Sequence, residues 1–130
     1  MARTMTNRSA RPSSISAYLS KRAVCAPWRI DTQPRCLFKG AVVVPSLAES
    51  QQLPLMLASL AANPPTHLEC FLILIVVNNR EQASPSEKYD NQNTIALLPE
   101  WKGRPGLINL HWVDAASAGH ELPAKDGVGL

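Results

Sequence analysis

Few of the features that place a chain quickly are found here. The three cysteines, Cys25, Cys36 and Cys70, form no CxxC pair and lack zinc-site spacing. Neither a structural metal centre nor a disulfide framework is therefore expected, and a reducing compartment is favoured. The greasiest segment, Phe71–Val77, has seven residues, where a bilayer span needs roughly 20. No secretory apolar region follows the early basic residues, which argues against export and for a cytoplasmic location. Aromatics at stacking intervals are missing and no RNA-binding motif occurs, so nucleic acid ranks last among partners. The segment "VVVPSLAES" carries neither GxGxxG nor GxxxxGK[ST], which excludes the common dinucleotide and P-loop enzymes. There is no GxSxG elbow. His120-Glu121 lacks the second histidine of HExxH and reads as a solvated loop pair, while His111, beside Trp112 on an apolar run, reads as a structural histidine.

What is present is unevenly distributed. Residues 1–40 hold eight Lys and Arg against one acid, Asp31, whereas residues 41–130 hold five against nine. The net charge of +3 thus conceals a leader of +7 on a body of −4. A basic, serine-rich, acid-poor leader has three readings: a disordered tail, a transit peptide, or an anchor giving peripheral contact with anionic membrane. The expected division is a leader over residues 1–38 and one domain over residues 39–130.

From Gly40 the texture changes. Ala41–Pro45 is a β-branched run. The next segment reads as a helix capped by Ser50, with Pro54 in its first turns, where a missing N–H costs little. Leu53, Met56, Leu57, Leu60 and Ala61 recur at helical spacing and define its buried stripe, and Asn63-Pro64-Pro65 ends it. Phe71–Val77 shows no alternation, as suits a strand covered on both faces of a parallel sheet. A helix is expected over Ser86–Leu98, with Tyr89, Ile95 and Leu98 buried, although its "DNQN" core has poor propensity. Gly103, Pro105 and Gly106 mark a turn before a third strand, Leu107–Val113.

The fold class is therefore α/β: a three-layer open sheet of parallel strands in the order β-α-β-α-β, with connections long enough for right-handed crossovers. Each strand ends in polar residues: "PSLAES", "NNREQAS" and "DAASAGHE". Asn-Asn-Arg alone would be a strand closed by turn formers. Three such endings together point to a site, because open parallel sheets bind ligands beyond the carboxyl ends of their strands.

At these residues the chain resembles family 2 glycosyltransferases. "AVVVPSLAESQQLPLMLASL" is similar to that family's first strand, loop and leucine-bearing helix. "FLILIVVNNR" resembles its second strand, and "VDAASAGHELPAKDGVGL" the loop after its third. The resemblance covers residues 40–130. It implies the Rossmann-like half of a GT-A fold and a nucleotide-diphosphate-sugar donor, UDP-type favoured. Pro45, Ala48 and Glu49 would line base and ribose, Asn78, Asn79 and Arg80 would lie beside the base, and Asp114, Lys125 and Gly127 would flank the nucleotide from the other side. The family's DxD motif, which holds Mg²⁺ or Mn²⁺ on the diphosphate, does not occur in this sequence, nor does its later catalytic acid. The expectation is thus a truncated, nucleotide-binding front half with no catalytic residue assigned, no cofactor of its own and little or no transferase activity alone. An uncovered sheet edge would favour self-association. The alternative is a non-catalytic α/β module completed by a partner chain.

Overall fold

A computed structural model describes residues 12–22, 27–34 and 36–123. The elements run α1 (Ser13–Arg22), β1 (Gly40–Ser46), α2 (Leu53–Ala61), α3 (Pro65–Leu68), β2 (Phe71–Asn78), α4 (Pro85–Trp101) and β3 (Leu110–Ala115). The three strands form one parallel sheet in the order β1-β2-β3. The α/β class and the β-α-β-α-β order follow the pattern of the sequence. The central strand is the uninterrupted apolar run, because it alone has neighbours on both edges. In the register, Val44 lies opposite Ile75, and Ile75 opposite Trp112.

Strand alternation divides the sheet into two faces. Val42, Val44, Ser46, Ile73, Ile75, Val77, Leu110 and Trp112 share one, and Ala41, Val43, Leu72, Leu74, Val76, His111 and Val113 share the other. Both crossovers step across the sheet in the same direction, so right-handed connections bring α2 and α4 onto one face. The packing agrees. Ile73, Ile75 and Val77 are buried with Leu53 and Leu57 of α2, Leu68 of α3, Leu98 of α4, and Leu107 and Leu110. Met56, Leu60 and Ala61 pack against that core as their spacing predicts. Burying a side chain such as Leu57 contributes roughly 2 kcal/mol. Gly106 closes the turn before β3 at φ +83°; a Cβ there would be strained and would lie 3.2 Å from the Ala61 backbone, which favours glycine.

Several boundaries differ from expectation. The helix α2 starts at Leu53 with Gln52 at its cap, and Ser50 turns its hydroxyl to Asp90 instead. Ser84 caps α4 and accepts the Glu87 N–H at 3.3 Å, a capping arrangement with Pro85 at the first turn. That cap sets the helix phase. Tyr89 is consequently 70% exposed, while Asn91 and Thr94 are fully buried with Leu98. The third strand begins at Leu110 rather than Leu107, since Leu107 donates to Arg104 in a turn and Ile108 projects outward.

Part of the basic leader belongs with the sheet. Ile30 forms an antiparallel bridge with Val113, and the Asp31 N–H donates to the Trp112 carbonyl at 2.9 Å. Contacts with the sheet thus begin well before residue 38. The segment 27–34 lies along the edge of β3 that does not pair with β2, beside the sheet rather than over a face of it. Lys125 and Gly127 lie outside the described residues.

Candidate functional site

The carboxyl ends of the strands carry three loops, and one side chain from below joins two of them. Asn91 projects from α4 and is fully buried. Its Oδ1 accepts the Ala48 N–H at 2.9 Å, and its Nδ2 donates to the Asn78 carbonyl at 3.0 Å and to Asn79 Oδ1 at 2.9 Å. The loop after β1 is thereby fastened to the end of β2. A second fastening lies one residue away on the helix: Asp90 accepts the Ser50 N–H at 2.9 Å and its hydroxyl at 2.7 Å.

Asn79 extends the network to the loop after β3. Its Nδ2 donates to Glu121 Oε2 at 3.0 Å, its N–H donates to the Ala115 carbonyl, and its carbonyl accepts from Leu122. Glu121 also pairs with Lys88 at 2.8 Å. It is therefore an anchor for this loop and not the solvated residue the sequence suggests. Asp114 terminates β3 by accepting the N–H groups of Ala116 and Ser117 at 3.0 and 2.8 Å. That turn sets the direction of the loop toward Glu121.

The expected site residues fall into two groups. Pro45, Ala48, Glu49, Asn78, Asn79, Arg80 and Asp114 do lie at one end of the sheet, on adjoining loops. Asn78 and Asn79, however, are buried at 4% and 0% exposure. The Asn78 amide donates to the Val76 carbonyl, and that of Asn79 is engaged by Glu121, Arg80 and Asn91. The Asn79 side chain joins the loops, while that of Asn78 bonds along its own strand and to the Ser46 carbonyl of β1. Ala48, Glu49 and Arg80 form the exposed surface, with Pro45 and Asp114 half-buried beside them.

Ala48 stands apart in its backbone. Its φ of +54° makes it the one non-glycine residue in left-handed conformation among the described residues. An L-residue with a Cβ is held there at a cost of about 1–2 kcal/mol. The bonds from Asn91 and Asp90 on either side of it supply the restraint. Below the loop, the Ser46 hydroxyl is buried without a hydrogen-bond partner.

A second polar cluster lies against β3, away from these loops. Asp31 accepts from Lys102 Nζ at 2.8 Å, from the Trp112 N–H at 3.0 Å and from His111 Nδ1 at 3.1 Å, while Thr32 approaches Lys102 at 3.1 Å. Burial alone would push the Asp31 carboxyl up. The Lys102 and Trp112 hydrogen bonds and the charges of Lys102 and His111 overcome it and hold the group below the usual carboxylate range. The cluster borders a cavity of about 820 Å³ that also touches Phe38, Ile108 and Trp112. Its chemistry is that of an internal clamp: both charges are neutralised by each other, and the result is that residues 27–34 are pinned to the sheet.

Sequence reasoning gave Asn91 and Asp90 no role and read Glu121 as a solvated loop residue. The available signal was "DNQN" inside an otherwise helical segment, since buried amides beneath strand ends serve to satisfy loop backbone groups. Among the described residues no three His, Cys, Asp or Glu side chains gather as a metal site, and no helix is long and apolar enough to cross a membrane. No family model matches the chain, and neither a curated protein nor a solved structure does so.

Proposed function

We propose that this chain is a nucleotide-diphosphate-sugar binding module of the family 2 glycosyltransferase kind, taking a UDP-type ligand at the carboxyl ends of its strands. One observation carries the reading: a strained Ala48, fixed by Asn91 and Asp90, in the loop that joins the crest where the three strands end. Strain of this kind persists where the surrounding structure over-determines it, and it concentrates at ligand sites. The sheet topology supports the same location, since ligands of open parallel sheets bind beyond the strand ends.

In this reading the exposed Glu49 carboxylate accepts from ribose hydroxyls, and the Arg80 guanidinium meets the diphosphate. Asn78 and Asn79 shape the crest from beneath it rather than touching the ligand. Lys125 and Gly127 belong to the same proposal by resemblance. The divalent cation of the resembled family does not fit the residues present. The Asp114 Oδ1 is engaged by two backbone N–H groups, and no DxD pair occurs in the sequence. The proposed activity is accordingly binding.

Calorimetric titration of the full chain with UDP is the test. Saturable heat at millimolar UDP is expected, weakened at least fivefold by Arg80→Ala and less by Glu49→Gln. No heat at those concentrations would defeat the reading. A second reading, a module completed by a partner chain, draws on β1, which pairs on its β2 side alone among the described residues and leaves Val43 57% exposed. It predicts no response to UDP.

A further inference from the structure

Among the described residues, helices pack on one face of the sheet only. On the other, Leu72, Leu74 and Val76 of the central strand stand half-buried, with Val43 beside them more than half exposed. Sheets in which every strand is parallel occur almost only with both faces covered, and a central strand of this composition is suited to burial on each side. The segment 27–34 flanks this face along the edge of β3 at Val113 and His111, and Gln33 and Phe38 border a hollow beside Ala41 and Leu72.

The same chain holds a helix without a surface. The ten residues of α1, SSISAYLSKR, bury nothing. Ile15, Tyr18 and Leu19 follow at spacings of three and four and form one apolar stripe, with serines around the rest. Ile15 and Tyr18 are 47% and 63% exposed, and Leu19 is half-buried. A helix this short, with four serines, is marginal in water without tertiary packing. An uncovered apolar face and an unpacked apolar stripe therefore occur together in one molecule.

Distance and continuity favour joining them. The segment that already lies on β3 is the direct continuation of α1 in the chain. Eight residue steps separate Arg22 from Ile30, enough to span roughly 26 Å when extended, while neighbouring strands lie only about 4.8 Å apart. The helix is about 15 Å long, and Leu72 to Val76 spans about 13 Å, so the stripe matches the exposed part of β2 in length.

We propose that α1 docks across this face, setting Ile15, Tyr18 and Leu19 against Leu72, Leu74 and Val76, and so builds the helical third layer of the sheet. The leader is then a cover for the domain rather than a tail. This goes beyond the binding reading above and does not depend on it.

The test is methyl-resolved NMR on the full chain. Cross-peaks from Ile15 or Leu19 methyls to those of Leu72, Leu74 or Val76 are expected in dilute, monomeric protein. Leu19→Asp is expected to lower the urea midpoint and raise binding of an apolar dye severalfold, and Ser16→Asp, on the serine side, to leave both unchanged. Should Leu19→Asp not fold, the milder Leu19→Ser and the cross-peaks of the unaltered chain carry the test. Absence of the cross-peaks together with equal midpoints for the two variants overturns the proposal. So does a stripe that is protected only by vesicles of phosphatidylcholine and phosphatidylglycerol, or only in a sedimenting dimer with cross-peaks between chains.

Discussion

Replacing Asn91 by alanine removes the side chain that ties the loop after β1 to the end of β2. Three hydrogen bonds disappear, to the Ala48 N–H, the Asn78 carbonyl and Asn79 Oδ1. Each contributes about 1 kcal/mol net, and the buried Asn79 Oδ1, left without Asn91, adds up to about 1 kcal/mol more. With Asn91 and Asn79 both fully buried, the expected loss is about 3–4 kcal/mol, a large share of the 5–15 kcal/mol that typical domains possess. At a urea slope of about 1–2 kcal/mol per molar, the midpoint should fall by about 2 M or more. Asn91→Asp separates geometry from hydrogen bonding. The new carboxyl still accepts from Ala48, but it sets an oxygen against the Asn78 carbonyl and Asn79 Oδ1. It must bind a proton to donate, so its pKa in the fold is raised, and this variant should be as damaged as Asn91→Ala at pH 7 and recover as the solution is acidified. Equilibrium unfolding followed by far-ultraviolet circular dichroism reads both effects. A loss below about 1 kcal/mol for Asn91→Ala, or no acid recovery for Asn91→Asp, would refute the assignment of this side chain as the anchor.

Three further outcomes follow from single positions. Ala48→Gly should raise stability by about 1 kcal/mol in thermal unfolding, because glycine adopts φ +54° without strain, and a loss would show that the loop is unstrained. Ser46→Ala should be neutral or stabilising by up to about 1 kcal/mol, since it removes a buried hydroxyl without a partner; a marked loss in urea unfolding would mean that the hydroxyl is satisfied. Asp31→Asn should cost about 2 kcal/mol at pH 7 by breaking the pair with Lys102. Because the Lys102 and Trp112 hydrogen bonds outweigh burial and hold the folded carboxyl below its ordinary value, its contribution is complete above the ordinary carboxylate range and is lost as pH falls through the folded value. The difference between Asp31→Asn and the unaltered chain should therefore shrink below about pH 4, and a constant difference down to pH 2 would contradict the clamp.

The parts of this fold that were legible are those written in consecutive residues. Phe71–Asn78 announces a central strand because every position is apolar until the asparagines, and the stripe of Leu53, Met56, Leu57 and Leu60 gives the buried side of α2 directly. The phase of α4 was legible only through Ser84 and Glu87. Without that cap, Tyr89 looks like core and Asn91 like surface, the reverse of their positions. Pairings across long separations left no local trace. Asp31 is a lone acid in a basic leader, and its partners stand 71 and 80 residues away. The polar strand ends did mark where the loops meet, but not which amides would be spent within the protein. Asn79 has the residue type of a ligand contact and the burial of a structural one. Side-chain type sets what a group is able to bind, and packing decides whether it faces outward.

The central claim is that the crest around Ala48 receives a nucleoside diphosphate. Titrating ¹⁵N-labelled full-length chain with UDP and following the backbone amides tests it most directly. The account predicts shifts at Ala48, Glu49, Arg80 and Ser117 that saturate together at millimolar ligand. Amides that do not move, or that move only around Asp31 and His111 beside β3, would contradict it.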